Sequence, residues 1–309
     1  CGGVVTVTMY YKDQCVNSSV TRSFGIGSDP VYVTKNGSDY VGEACDFTDT
    51  AGIVAAYLDW LTIFQPHGGC AKTLDDYEIS TGVEVPDDLP GLCGGTVTVV
   101  YTASSKICPG TGSDTKTGTF TINAPPFTLT KPDDFEASAC DYTDQSGVDA
   151  EFSTWLGQFS VSGGCDDAEG EFAEQYEAPD LCGGSVVVTY NYTSRCEEGS
   201  VTRTFTITAP EEVAYGNPED YEESMCEFED QAAIISAFSK WLDEQIGTIT
   251  PTGGCQPVLN FDYDSNDIPA MCGEGGSITV VFTITDKCLT PIELPAIFTI
   301  TPAPEFVIN

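Results

Sequence analysis

Cysteine is the residue type in this chain whose number and spacing could do chemistry. There are 14 cysteines in 309 residues, and they recur in two signatures. One is Cys-Gly-Gly opening an alternating run, at Cys1, Cys93 and Cys182, with the variant Cys272-Gly273-Glu274; the intervals are 92, 89 and 90 residues. The other begins at Cys45, Cys140 and Cys226, has Trp60, Trp155 and Trp241 fifteen residues on, and closes on Gly-Gly-Cys at Cys70, Cys165 and Cys255. Metal binding is a poor account of these thiols, because there is no C-x-x-C pair and His67 is the only histidine. Disulfides formed in an oxidising compartment are the better one.

Other catalytic chemistry finds little support. A Ser-His-Asp arrangement would have to be unique to the surroundings of His67, and there is no G-x-S-x-G elbow, P-loop or H-E-x-x-H. Adjacent acids such as Asp75-Asp76, Asp133-Asp134 and Asp166-Asp167 read as solvated loop residues, with nothing that builds a cleft around facing carboxylates. A non-enzyme without a resident cofactor is expected. Calcium remains a candidate at Asp262-x-Asp264-x-Asn266-Asp267, which lacks the glycine and distant glutamate of an EF-hand loop, and at the link acids Asp133, Asp134, Glu211 and Glu212.

Eleven Lys and Arg against 48 Asp and Glu give a formal charge of −37. Nucleic acid and anionic membrane surfaces are excluded as partners by that balance. No apolar run reaches the length of a membrane span, so direct membrane insertion is not expected.

The elements that carry the cysteines follow from periodicity. Residues 1–25 read as a hairpin, and the same hairpin recurs at Thr96–Ile122, Ser185–Ile207 and Ser277–Ile300. Its runs alternate and are rich in β-branched and aromatic residues. Proline-bearing links such as Asn123-Ala124-Pro125-Pro126 stop the return strands and are short, so neighbouring repeats are expected end to end in a semi-rigid rod. A strand such as Val31–Thr34 follows, then a helix with an apolar stripe at Ile53, Tyr57, Trp60, Leu61 and Phe64, repeated through Val148, Phe152, Trp155 and Phe159, and through Ile234, Phe238 and Trp241. Asp49 or Thr143 is expected to cap, Gly-Gly to end the helix region, and Gly170–Glu177 to hold a weak strand. The tryptophans, being on the stripe, are read as core rather than as sugar platforms. The expected boundaries are a hairpin of a preceding module at 1–25, modules at 26–124, 125–209 and 210–303, and the start of another link at 304–309.

Length suggests how the thiols pair. A helix over Asp144–Phe159 would be about 24 Å long, and the strand after Cys182 about 27 Å. If the two lie alongside, Cys140 and Cys165 sit at opposite ends, as do Cys182 and Cys196, beyond the roughly 7 Å that a disulfide allows between Cα atoms. The pattern that survives best is nested within each module: Cys70–Cys93 with Cys45–Cys108, Cys165–Cys182 with Cys140–Cys196, and Cys255–Cys272 with Cys226–Cys288. The rival is Cys15–Cys45, Cys108–Cys140 and Cys196–Cys226.

The Cys182-Gly183-Gly184-Ser185-Val186-Val187-Val188-Thr189-Tyr190 run, the cysteine in the next turn, the Thr-Phe-Thr-Ile return and the Trp-Leu helix resemble a known module. They are similar to the HYR-like four-cysteine repeats of very large bacterial cell-surface adhesins exported by the type IX secretion route, gliding-motility adhesins among them. The turns depart from that pattern, with Lys106-Ile107-Cys108-Pro109, Ser194-Arg195-Cys196-Glu197 and Asp286-Lys287-Cys288-Leu289 in place of Asp-x-Cys-Gly-Asn. The resemblance implies a mainly β chain of tandem immunoglobulin-like sandwiches, each with one inserted helix, displayed outside the cell for adhesion or motility. The partners it implies are neighbouring repeats of one long chain. Two other readings stand beside it: binding of a surface glycan or protein through the variable acidic connections Asp75–Pro90 and Asp166–Pro179, and self-assembly into an extracellular filament.

Overall fold

A computed structural model describes residues 1–304; of the link expected at 304–309, the part after Pro304 lies outside the described residues. The chain forms two compact units. One comprises Cys1–Thr130, Ser160–Glu171 and Asn191–Ser200; the other comprises Lys131–Phe159, Phe172–Tyr190 and Val201 onward.

The chain opens on the antiparallel hairpin β1 (Gly3–Lys12) and β2 (Asn17–Ile26). The first repeat contributes β3 (Tyr32–Lys35), β4 (Tyr40–Glu43), α1 (Thr50–Leu61), β5 (Phe64–His67), β6 (Tyr77–Ser80), β7 (Gly95–Ser105) and β8 (Ser113–Asn123). The second contributes β9 (Phe127–Thr130), β10 (Phe135–Ser138), α2 (Gln145–Leu156), β11 (Ser160–Gly163), β12 (Glu169–Phe172), β13 (Gly184–Thr193) and β14 (Glu198–Thr208). The third contributes β15 (Tyr221–Ser224), α3 (Gln231–Ile249), β16 (Val258–Asp262), β17 (Gly276–Asp286) and β18 (Leu289–Thr301).

Each repeat has one four-stranded sheet, ordered β4-β8-β7-β6, β10-β14-β13-β12 and β15-β18-β17-β16. In the first two, a ribbon, β3-β5 or β11-β9, is added. The chain therefore spends its first extended stretch in two places. β3 pairs antiparallel in the ribbon, and after a short step β4 pairs parallel with the final strand, Tyr40 opposite Phe120. The mainly β architecture of several sheets with one inserted helix per repeat is present, and the helix helps to wall the core.

Alternation explains the layers. In β7, Val99, Tyr101 and Ala103 point inward and are buried. Outward threonines pair across the strands at 3.0 Å, Thr96 with Thr121 and Thr102 with Thr115. From α1, Ile53, Tyr57 and Trp60 bury against the sheet, with Tyr57 edge-on to Phe120 at 5.4 Å. α2 does the same with Phe152 on Phe205 at 5.1 Å, and α3 with Phe238 on Phe298 at 5.4 Å. Burying such side chains stabilises by about 1.5–3 kcal/mol each.

Three local expectations are corrected. The caps are Asp49, Asp144 and Asp230, each accepting an N–H three residues on; Asp144, not Thr143, caps α2, at 3.2 Å from the Gly147 nitrogen. Gly-Gly does not end the helix in any repeat: in the first two a ribbon strand intervenes, with Phe64 in β5 and Phe159 directly preceding β11, and in the third α3 stops at Ile249 with Thr250, Pro251 and Thr252 before Gly253. The connection strand of the second repeat is Glu169–Phe172, shorter than Gly170–Glu177 and starting one residue earlier.

Candidate functional site: the cross-linked repeat ends

Four pieces of backbone carry the cysteines. The helix-start cysteines Cys45, Cys140 and Cys226 sit in single 3-10 turns, where the preceding residue, Ala44, Ala139 or Met225, is buried. The Gly-Gly-Cys segment is a turn; in the first two repeats its cysteine is itself left-handed, with φ near +59° at Cys70 and +65° at Cys165, and in the third the positive φ falls on Gly254 and Gln256 instead. That turn needs glycine: a Cβ on Gly69 would lie 2.6 Å from the Ser105 Cβ, and one on Gly164 2.7 Å from the Ser194 Cβ. These contacts also show that the Gly-Gly-Cys turn and the hairpin-turn cysteine share one end of a repeat. In the first repeat, Ser105 ties the two by donating to the Gly69 carbonyl at 2.7 Å and accepting from the Cys108 N–H at 3.0 Å. The helix-start and Cys-Gly-Gly cysteines share the opposite end, where Asn123 of β8 donates to Glu43 at 2.8 Å.

The bonds follow from that segregation. Cys1 pairs with Cys108, Cys45 with Cys165, Cys93 with Cys196, Cys140 with Cys255 and Cys182 with Cys288, with Cα separations of 4.9 to 5.4 Å. Each bond joins one repeat to the next in sequence and lies within one of the two compact units. The register is constant. A helix-start cysteine bonds the Gly-Gly-Cys cysteine of the following repeat, and a Cys-Gly-Gly cysteine bonds the following turn cysteine.

The nested pairs Cys70–Cys93, Cys45–Cys108, Cys165–Cys182, Cys140–Cys196, Cys255–Cys272 and Cys226–Cys288 do not form, and neither do the rivals Cys15–Cys45, Cys108–Cys140 and Cys196–Cys226. The physical reason is that every nested pair would have to run from one end of a repeat to the other. Cys70, Cys226 and Cys272, expected in bonds, are free and exposed, as is Cys15.

A polar clasp accompanies two of the junctions and was not anticipated. Arg195, beside the turn cysteine, donates to the Phe47 carbonyl at 3.1 Å and meets Asp167 at 3.3 Å. Lys287, beside the next turn cysteine, donates to the Tyr142 carbonyl. Phe47 and Tyr142 each lie two residues beyond a helix-start cysteine. The scarcity of cations was legible; their offset from cysteine was the available signal.

A second repeated constellation was also missed. The tryptophan indoles donate to Ser38, Asp133 and Glu219 carbonyls at 3.1, 2.9 and 2.9 Å. The next residue in each case, Asp39, Asp134 or Asp220, accepts an N–H of the last strand at 3.0, 2.8 and 2.8 Å. This pair of bonds pins the step between the two first-strand pieces. The Lys35 ammonium beside Asp39, then the Thr119 N–H, hold its carboxyl below the usual aspartate range.

The Asp133 main-chain carbonyl and the Asp134 carboxylate are thus engaged in this pin, and the Asp264 carboxylate accepts from the Asn266 N–H at 2.9 Å. Among the described residues no group of three or more His, Cys, Asp or Glu is placed to hold a metal ion. His67 lies in β5, stacked on Tyr32 at 5.1 Å and 3.2 Å from the Thr34 hydroxyl. Among the described residues no helix is long and apolar enough to cross a membrane.

A scan of protein-family models finds no match, and a search of curated proteins finds none. Solved structures similar to the chain include PcdhgB3 EC1-4, at 9% identity over 98% of this chain and 84% of that one, with a TM-score of 0.28. Protocadherin gamma B7 extracellular cadherin domains 1–4 is similar at 9% identity over 92% and 80%, with a TM-score of 0.36. The human desmocollin-1 ectodomain is similar at 9% identity over 93% of this chain and 64% of that one, with a TM-score of 0.26. These likenesses are too slight to argue from, and the fold stands on the sheets described above.

Proposed function

We propose that the chain is a non-catalytic segment of an extracellular adhesin stalk of the HYR-like type, which supplies reach and resistance to pulling between a cell surface and a distant binding tip. One observation carries this reading: the bonds between repeats form two covalent rails. On the strand rail, Cys1 bonds Cys108, which is fifteen residues from Cys93; Cys93 bonds Cys196, which is fourteen from Cys182; Cys182 bonds Cys288. On the helix rail, Cys45 bonds Cys165, which is 25 residues from Cys140, and Cys140 bonds Cys255. Tension passes across each junction through sulfur, leaving most of each repeat outside the loaded path. Such bonds persist in an oxidising exterior, and a strongly negative surface keeps long chains apart. Adhesion, gliding motility and the type IX route remain part of this proposal through the resemblance of the motifs.

Single-molecule pulling between the termini tests it. The oxidised chain has about 50 residues on its shortest covalent path, so its contour length should reach about 170 Å at roughly 3.4 Å per residue. After reduction the same chain should extend to about 1,050 Å. An oxidised chain that extends by many hundreds of ångströms would remove the stalk reading.

A further inference from the structure

Hairpin β1–β2 repeats β13–β14 residue for residue at an offset of 181. Val5, Val7, Arg22, Phe24 and Ile26 correspond to Val186, Val188, Arg203, Phe205 and Ile207, and Cys15 to Cys196. In the later hairpin this face is the floor of a core: Val188, Phe205 and Ile207 are 0%, 0% and 1% exposed, under Phe152 and Trp155 of α2. In the first hairpin the same face is open: Val7, Phe24 and Ile26 are 54%, 68% and 61% exposed. Arg203 makes two bonds, to its neighbour Thr202 at 2.8 Å and to the Pro132 carbonyl at 2.9 Å. Among the described residues Arg22 makes only the first kind, to Thr21 at 3.2 Å.

A separate observation concerns Cys70. It holds the same left-handed conformation as Cys165, which is bonded to the helix-start cysteine of the repeat before it. Cys70 itself is free and exposed. The register found at every junction calls for one partner: the helix-start cysteine of a half-repeat seated on β1–β2.

We propose that the open face of β1–β2 is a docking surface for the helix-bearing half of another repeat, and that the helix-start cysteine of this half bonds Cys70. Apolar face, unmatched arginine and free thiol all ask for the same occupant: an amphipathic helix carrying Phe and Trp, a backbone carbonyl at the position of Pro132, and a cysteine just ahead of the helix. The covalent step is thiol–disulfide exchange. Two thiols and one oxidised glutathione give one protein disulfide and two reduced glutathiones, with both protons and both electrons passing to glutathione. The inference deepens the stalk reading by extending its helix rail, and it is tested apart from it.

The test places a second copy of residues 125–181 directly ahead of Cys1 in the full chain, refolded in reduced and oxidised glutathione. The second repeat is the right donor because its Pro132 carbonyl already accepts from an arginine at the position corresponding to Arg22. Peptide mapping should recover the five existing bonds plus a new one between Cys70 and the added copy of Cys140. Iodoacetamide should no longer label Cys70, and binding of an apolar-surface dye should fall from that of the parent chain. A version with serine for the added copy of Cys140 should keep the loss of dye binding while Cys70 becomes reactive again. Cys70 labelled as before, with dye binding unchanged and the five original bonds intact, would overturn the proposal without touching the pulling result.

Discussion

The first and third repeats meet the same two ends with different middles. Both cap the helix with aspartate, Asp49 or Asp230, seat a tryptophan whose indole reaches back to the link, and reach Gly-Gly-Cys. Between tryptophan and Gly-Gly they part. In the first repeat, α1 stops after 12 residues and the chain becomes ribbon strand β5. In the third, α3 runs 19 residues and the ribbon shrinks to one bridge between Ala214 and Thr252. Local chemistry accounts for it. Thr62-Ile63-Phe64-Gln65-Pro66 is poor helix sequence ending in a proline, whereas Asp243-Glu244-Gln245-Ile246 favours the helix. Gln245 is buried and accepts the Glu219 N–H at 2.9 Å, so the extra turns are also tied to the link. The difference teaches that the repeat ends and the tryptophan pin are what is held in common, and that the segment between them is free to be strand or helix.

The largest effect should come from the shared anchor. Trp60→Ala and Trp241→Ala should each destabilise by about 3–5 kcal/mol in denaturant unfolding, because each empties a space walled by phenylalanines. A small loss at either one would mean that the two helices are not anchored alike. Next, Gly247→Pro places in α3 the residue that stands at the corresponding Pro66 in β5. It should cost about 3 kcal/mol through a lost helix bond and a ring clash, seen as loss of helical circular dichroism. If the helical signal survives, α3 already ends before that turn.

The smallest effect sharpens the pin. Asp39→Asn should lower stability at neutral pH, where the carboxylate is charged beside Lys35. The third repeat has Gly216 at the position of Lys35, so Asp220→Asn should lose less and respond less to salt. The folded pKa of Asp39 is depressed, so its contribution is fully present above the unfolded value of about 3.9 and is lost as pH falls through the folded one. Wild type and Asp39→Asn should therefore converge in acid; a gap that persists there would assign the effect to packing.

Much of the architecture was legible from residue types. The hairpins announced themselves by alternation, and the register of β7 with β8 follows from burying Val99, Tyr101 and Phe120 together. The tryptophans belong to the core because they lie on the helix stripe with Tyr57 and Phe152. The second strand of each ribbon, β5 or β11, was hidden because Phe64 and Phe159 continue the helical spacing by coincidence, and an aromatic at such a spacing fits either element; the first, at Val31–Thr34, was legible. The Asp39, Asp134 and Asp220 pins were hidden because an acid in a link looks solvated until the strand that it serves is beside it.

The period near 90 residues, the four classes of cysteine and the acidic surface were settled by composition and local periodicity, because each depends on neighbours in the chain. The pairing of the cysteines was decided only in three dimensions. A disulfide answers to a Cα separation of about 5 Å, and residues more than 100 positions apart meet that condition here while the nearer candidates occupy opposite ends of a repeat.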